Sequence, residues 1–234
     1  MFVQPMWLVM LSWAVLFVGL ASTAVVVVDQ FVLGYRQPVK VMEMVWPVNA
    51  LYLGPAAVLG YRKWGRPQSP RWLDRHGSPP RRSLNARTTI KACHCATHCT
   101  LGVLIATPVT YGFGLEMFGS TLWPEVVGDY VGAAAVGVAF RYYTEARTGG
   151  RRAWAVMRKF FMRDLLTVSV FEFALLGWLA LMHFVFFHET LRPNGPVFWL
   201  IIQAGLIIGF FAAWPPTLLL TRRGVETELL STPQ

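Results

Sequence analysis

Charge is scarce in this sequence: 14% of its 234 residues are Asp, Glu, Lys or Arg, against about 25% in an ordinary soluble domain. That scarcity, beside a hydrophobic content of 55%, excludes a water-soluble single domain. Disorder is excluded as well, because 16 Phe, 10 Trp and 7 Tyr give the chain ample surface to bury. Cysteine is nearly absent. Cys93, Cys95 and Cys99 are the whole complement, odd in number and too close together for a secreted disulfide framework, which leaves free thiols or metal ligands. The motifs G-x-x-x-x-G-K-[ST], G-x-S-x-G and H-E-x-x-H are also missing. ATP-driven pumping by this chain and the common hydrolase mechanisms therefore lack their residues, and any transport is gradient-driven or passive.

What is present is arranged in blocks. Apolar runs near residues 2–28, 41–61, 90–115, 122–140, 165–187 and 197–220 have roughly the 20-residue length that crosses hydrocarbon. They predict an all-α polytopic membrane bundle of about six transmembrane helices, a single integral membrane domain over 1–234. The first run has no basic n-region and no small-residue cleavage site, so it reads as a span and not as a leader.

Basic residues outnumber acidic ones by 21 to 12, a net charge of +9. They do not form one basic face, so no nucleic acid partner is expected. They crowd instead into two loops, 62–89 and 141–163, and a tail with Arg222 and Arg223. The positive-inside rule then makes both loops cytoplasmic and the chain N-in and C-in. Pro67, Pro70, Gly77, Pro79 and Pro80 stand among the arginines of the first loop, a composition that builds no core and should lie along the anionic inner leaflet. The connection after the third helix offers only Glu116 and Glu125.

The third span opens with Lys91-Ala92-Cys93-His94-Cys95-Ala96-Thr97-His98-Cys99, next to the basic loop and so near the cytoplasmic face. On a helix His94/His98 and Cys95/Cys99 are i,i+4 pairs, each stacked one turn apart. At about 100° per residue the four project into an arc of roughly 140°, with Cys93 pointing elsewhere. Two thiols and two imidazoles on one face suit Cu(I) or Zn(II), so His94, Cys95, His98 and Cys99 are the expected metal ligands, with copper first and zinc next. One helix does not close a coordination sphere, and other helices or a second copy of the chain should contribute. The order C-x-x-H-C is not the C-x-x-C-H of c-type haem attachment, so no covalent haem is expected.

Glu172 lies near the middle of the fifth span, about 12 Å along the helix from Asp164 at the cytoplasmic edge. An intramembrane carboxylate faces protein, water or a cation, which makes Glu172 and Asp164 candidates for an ion or proton path. Asp164 also suits a helix N-terminus. His183 and His188 sit toward the outer end of that span, where interfacial residues are ordinarily found. Trp46-Pro47 and Trp214-Pro215-Pro216 mark helix kinks, and Trp46, Pro47, Asn49, Trp214 and Pro215 are expected to line a cavity there.

Three ordered blocks, opening at Val45-Trp46-Pro47-Val48-Asn49, at His94-Cys95 and at Pro193-Asn194-Gly195-Pro196, resemble the bacterial domain-of-unknown-function family 4396. Asp164, the Phe171-Glu172 stretch and Arg222-Arg223-Gly224 belong to the same likeness, which runs over nearly the whole chain. The resemblance implies a small multi-span protein of the bacterial inner membrane. The family pattern His-Cys-x-x-Gly-Cys-x-x-Gly-Asp carries over at His94, Cys95, Cys99 and Gly102, while His98 replaces a glycine and Val103 replaces the acid. No reaction comes with the resemblance.

The residues together favour a protein that binds or transports a thiophilic metal ion. The alternatives from other classes are a membrane redox enzyme or haem- or quinone-linked assembly factor, and an accessory structural subunit of a membrane complex. The expected partners are the lipid bilayer, the metal ion, and either further copies of the chain or a membrane-complex partner.

Overall fold

The computed structural model describes residues 4–145, 153–187 and 192–223. It is all-α, with no strand among the described residues. Helix α1 (Met6–Val27) runs on through a π-helical turn to Val32. Its Trp7, Met10, Trp13 and Phe17 are each more than 60% exposed, an apolar face suited to lipid and not to water. Four helical stretches, Met6–Val32, Leu84–Gly112, Asp164–Phe187 and Pro196–Arg222, are long and apolar enough to cross a membrane.

The other two expected spans take a different form. In the stretch 41–61, α2 (Lys40–Leu53) stops at Gly54, whose φ is 56°, and Pro55 opens the short α3 (Pro55–Gly60). Proline has no N–H with which to continue the ladder, and the preceding glycine accepts a backbone conformation other residues avoid. Helix α6 (Leu122–Glu145) is unbroken but carries Glu125 and Asp129 in its first turns.

Two helices start earlier than the apolar runs suggest. Helix α5 (Leu84–Gly112) begins where the Ser83 hydroxyl accepts from the Ala86 N–H at 3.3 Å, an N-cap that satisfies one of the free donors of the first turn. Helix α7 (Ala153–Leu181) begins well before Asp164, because no glycine or proline interrupts residues 153–164. Asp164 therefore sits inside a helix and not at its N-terminus, although the apolar stretch does begin there. Helix α8 (Pro196–Arg222) closes the fold.

Much of the basic stretch 62–89 folds back onto the bundle. Tight helical turns at Tyr61–Gly65 and Arg66–Gln68 lead into α4 (Pro70–His76). Tyr61 donates its hydroxyl proton to Asp29 at 2.7 Å, Arg66 Nε stands 3.4 Å from the same carboxylate, and the Arg66 guanidinium covers the Tyr35 ring at 3.8 Å. Arg71 also donates to the Leu33 carbonyl. The end of α1 is thus clasped by the segment after α3.

Helix α5 is central and packs on α2, α6, α7 and α8. Its contact with α6 is a seam of small residues: a Cβ on Gly102 would lie 2.6 Å from the Ala133 nitrogen and 2.7 Å from the Asp129 carbonyl oxygen, and one on Gly128 would meet the Ala106 Cβ at 2.9 Å. Membrane helices associate by this kind of close backbone approach, because burial against lipid supplies no hydrophobic drive between them.

Candidate functional site

The histidine and cysteine face of α5 divides between two neighbours. His94 and His98 meet edge to face with ring centroids 4.6 Å apart, and both pack on Phe140 of α6, at 6.0 and 5.1 Å. Cys95 and Cys99 are turned toward α7. The Cys95 thiol donates to Thr167 Oγ1 at 3.5 Å, and Thr167 in turn donates to the Asp164 carbonyl oxygen at 2.9 Å. One turn further along, the Cys99 thiol lies against both Cys95 and the Glu172 carboxyl. All three cysteines are free thiols and buried. Among the described residues, no group of three or more His, Cys, Asp or Glu side chains is set to hold a metal ion. The wide arc expected from the helical wheel is the reason, since it faces two helices at once.

Two acids join the site that the sequence reading did not assign to it. Glu125 is buried in the first turn of α6 and not held in a connecting loop, and it accepts from the Thr107 hydroxyl at 3.3 Å and the Tyr111 hydroxyl at 3.2 Å. Asp129, one turn on, has no solvent exposure and lies within electrostatic reach of Glu125 and Glu172. Glu172 is fully buried too, with the Cys99 thiol against its carboxyl, and the Asp129 carboxyl oxygens make no hydrogen bond to any described residue. Their spacing was legible: Glu125 and Asp129 are an i,i+4 pair inside an apolar run. The Tyr130 and Ser169 hydroxyls, 2.9 Å apart, join α6 to α7 beside them.

Asn49 fastens α2 to the cysteine segment. Its amide nitrogen lies 2.7 Å from the Val45 carbonyl oxygen, 2.8 Å from that of Cys93 and 2.9 Å from Thr97 Oγ1, while its oxygen accepts from Tyr52 at 2.6 Å. Trp46 is buried edge to face against Tyr61, and the Pro47 carbonyl oxygen accepts from Thr23 at 3.1 Å. Trp214 donates to Thr89 at 3.3 Å, and Pro215 lies within the unbroken α8. These residues tie helices together. A cavity between α5, α6, α7 and α8 is lined instead by Tyr111, Glu125, His183, Phe198 and Ile201. His188 lies outside the described residues.

No curated protein and no solved structure matches the chain. A family match covers residues 84–226, more than half of the chain; the block at 45–55 lies outside it. The matched stretch holds α5 to α8 and with them the thiol pair, the three buried acids and the Gly102 seam, and by it the chain belongs to the family described as Domain of unknown function (DUF4396).

Proposed function

We propose that the protein is a six-span, N-in and C-in protein of the bacterial inner membrane that binds a thiophilic metal ion, copper first and zinc next, and passes it through the bundle. The observation that carries this reading is the contact of Cys99 with Cys95 and with the Glu172 carboxyl at the buried centre of α5 and α7. Two soft sulfur donors suit Cu(I) and Zn(II), and a carboxylate supplies the negative charge that draws the cation out of water. A charged carboxylate within hydrocarbon is expensive unless a cation or proton accompanies it. Asp164 stands where the ion would enter, three residues before the Thr167 that meets Cys95.

The four α5 donors and Glu172 do not form a finished cage. A cargo site gains from that, because an ion held by a closed tetrahedral sphere is a structural ion and does not leave. His98 completes the sphere as the ion moves, or a donor from a second copy of the chain does. The test is an anaerobic copper(I) titration of detergent-purified protein against a colorimetric chelator, beside the double variant Cys95→Ser, Cys99→Ser. Near-stoichiometric uptake by wild type that disappears in the variant supports the reading. Equal uptake by the two proteins refutes it.

A further inference from the structure

The cations of the basic segment divide by what they face. Arg66 is engaged with Asp29 and the Tyr35 ring, and Arg71 donates to the Leu33 carbonyl. Lys63, Arg81 and Arg82 are gathered instead around a pocket of about 100 Å³, which Trp64, Gln68 and Pro80 complete. Its walls come from two stretches of chain. The tight turns at Tyr61–Gly65 and Arg66–Gln68 supply Lys63, Trp64 and Gln68. The segment that leads into α5 supplies Pro80, Arg81 and Arg82, and its paired prolines, Pro79 and Pro80, keep it out of helix because they have no N–H to give.

Arg82 joins the two walls. Its Nη2 donates to the Trp64 carbonyl oxygen at 3.1 Å, while its Nε is buried with no hydrogen-bond partner among the described residues. Burial lowers its pKa from the ordinary value, yet a guanidinium stays charged in a protein. Among the described residues no acid lines the pocket to balance it. A charge drawn out of water without a counter-charge is costly, and here two further cations stand beside it. The Lys63 ammonium lies 5.6 Å from the centroid of the Trp64 ring.

A concave site with three cations and no acid suits an oxyanion. Arginine forks match phosphate oxygens in pairs, and lysine binds them as a point charge. A tetrahedral phosphate presents oxygens in several directions, so both walls reach it at once, which a planar carboxylate does not allow. The volume equals several waters at ~10–15 Å³ each, room for one phosphate group. Leu59, one turn before Lys63, is 67% exposed. An apolar side chain there fits the acyl chain of a lipid and offers a free ion nothing. Basic segments beside a membrane also attract anionic headgroups.

We infer that Lys63, Arg81 and Arg82 form a binding pocket for a phosphate group, with Leu59 favouring the headgroup of an anionic lipid over the free ion. The pocket shares no residue with the thiol cluster, so it stands whether or not the cysteines bind metal.

The experiment uses the full-length protein in neutral detergent, titrated in one arm with phosphatidylglycerol and in the other with inorganic phosphate. Thermal unfolding is followed by tryptophan fluorescence, since a ligand of the folded state raises the midpoint with its concentration. Phosphatidylglycerol is expected to raise the wild-type midpoint by several degrees at saturation. Arg82→Gln and Lys63→Gln should each need at least about tenfold more lipid for the same shift, the weight of one lost charged hydrogen bond. Lys63 is exposed and ties no backbone, so its variant decides the matter if Arg82→Gln fails to fold. Arg75→Gln removes the same charge from α4, outside the pocket, and should respond as wild type does. A lipid shift that the pocket variants lose supports the pocket with a headgroup in it, and a shift with phosphate alone supports it with the free ion. No shift in either arm overturns the pocket. A Lys63→Gln protein that responds like wild type overturns it too, as does an Arg75→Gln protein that loses as much, because charge alone would then be enough.

Discussion

Replacing Gly102 with alanine should push α5 and α6 apart, and the size of the effect follows from the seam. The new Cβ would stand 2.6 Å from the Ala133 nitrogen and 2.7 Å from the Asp129 carbonyl oxygen, where ordinary contact begins at 3.4 Å. Both obstacles are backbone atoms, so no side chain can rotate away and the helices themselves must shift. Overpacking of this kind costs about 1–3 kcal/mol, and in a chain of this length each kcal/mol moves the melting temperature by roughly 2–4 °C. Gly102→Ala is therefore expected to melt several degrees below wild type when unfolding is followed by tryptophan fluorescence in detergent. Gly177→Ala on α7 is the control, because a Cβ there meets nothing within 4 Å, and it should melt no lower than wild type. A Gly102→Ala protein that melts with wild type would mean that α5 and α6 do not touch at this register, and the placement of Asp129 beside the thiol level would fall with it.

Other changes test the supports of the site. Asn49→Ala removes the tie between α2 and the cysteine segment and leaves the Tyr52 hydroxyl without its acceptor; unpaired buried polar groups cost about 1–3 kcal/mol, so thermal unfolding should move down, and an unchanged melting temperature would contradict the bonding described. Arg36 pairs with Glu43 through two contacts, at 2.9 and 3.0 Å, and the carboxylate holds the guanidinium pKa up, yet the arginine is open to solvent. Exposed pairs contribute little, so Arg36→Ala should leave the same unfolding curve in place, and a clear loss would show that the pair is screened from water.

The helical class was open to reading because apolar blocks of span length leave few other folds. Helix ends were not, since hydropathy marks where a run turns apolar while caps and breakers decide where the helix begins. Ser83 starts α5 ahead of the apolar run, and the unbroken residues after Ala153 carry α7 well past Asp164 in the other direction. The same limit applied to the cluster. A helical wheel places His94, Cys95, His98 and Cys99 on one arc, but it does not say that Phe140 takes the histidines and Glu172 the cysteines. Glu172 stood out as a lone acid in a span. Glu125 and Asp129 escaped notice because the first lies at the very start of its apolar run, where a connecting loop was expected, although their spacing alone sets both on one helix face. Gly102 was visible as a motif position, and only packing gives its reason, the approach of two backbones.

Cys95 and Cys99 are proposed to share one ion. Zinc K-edge X-ray absorption on the zinc-loaded, detergent-purified protein tests it most directly. Two sulfur neighbours at about 2.3 Å, the ordinary zinc–thiolate length, are expected, completed by oxygen or nitrogen and lost in Cys95→Ser, Cys99→Ser. A zinc shell without sulfur, or one unchanged in that variant, would contradict it.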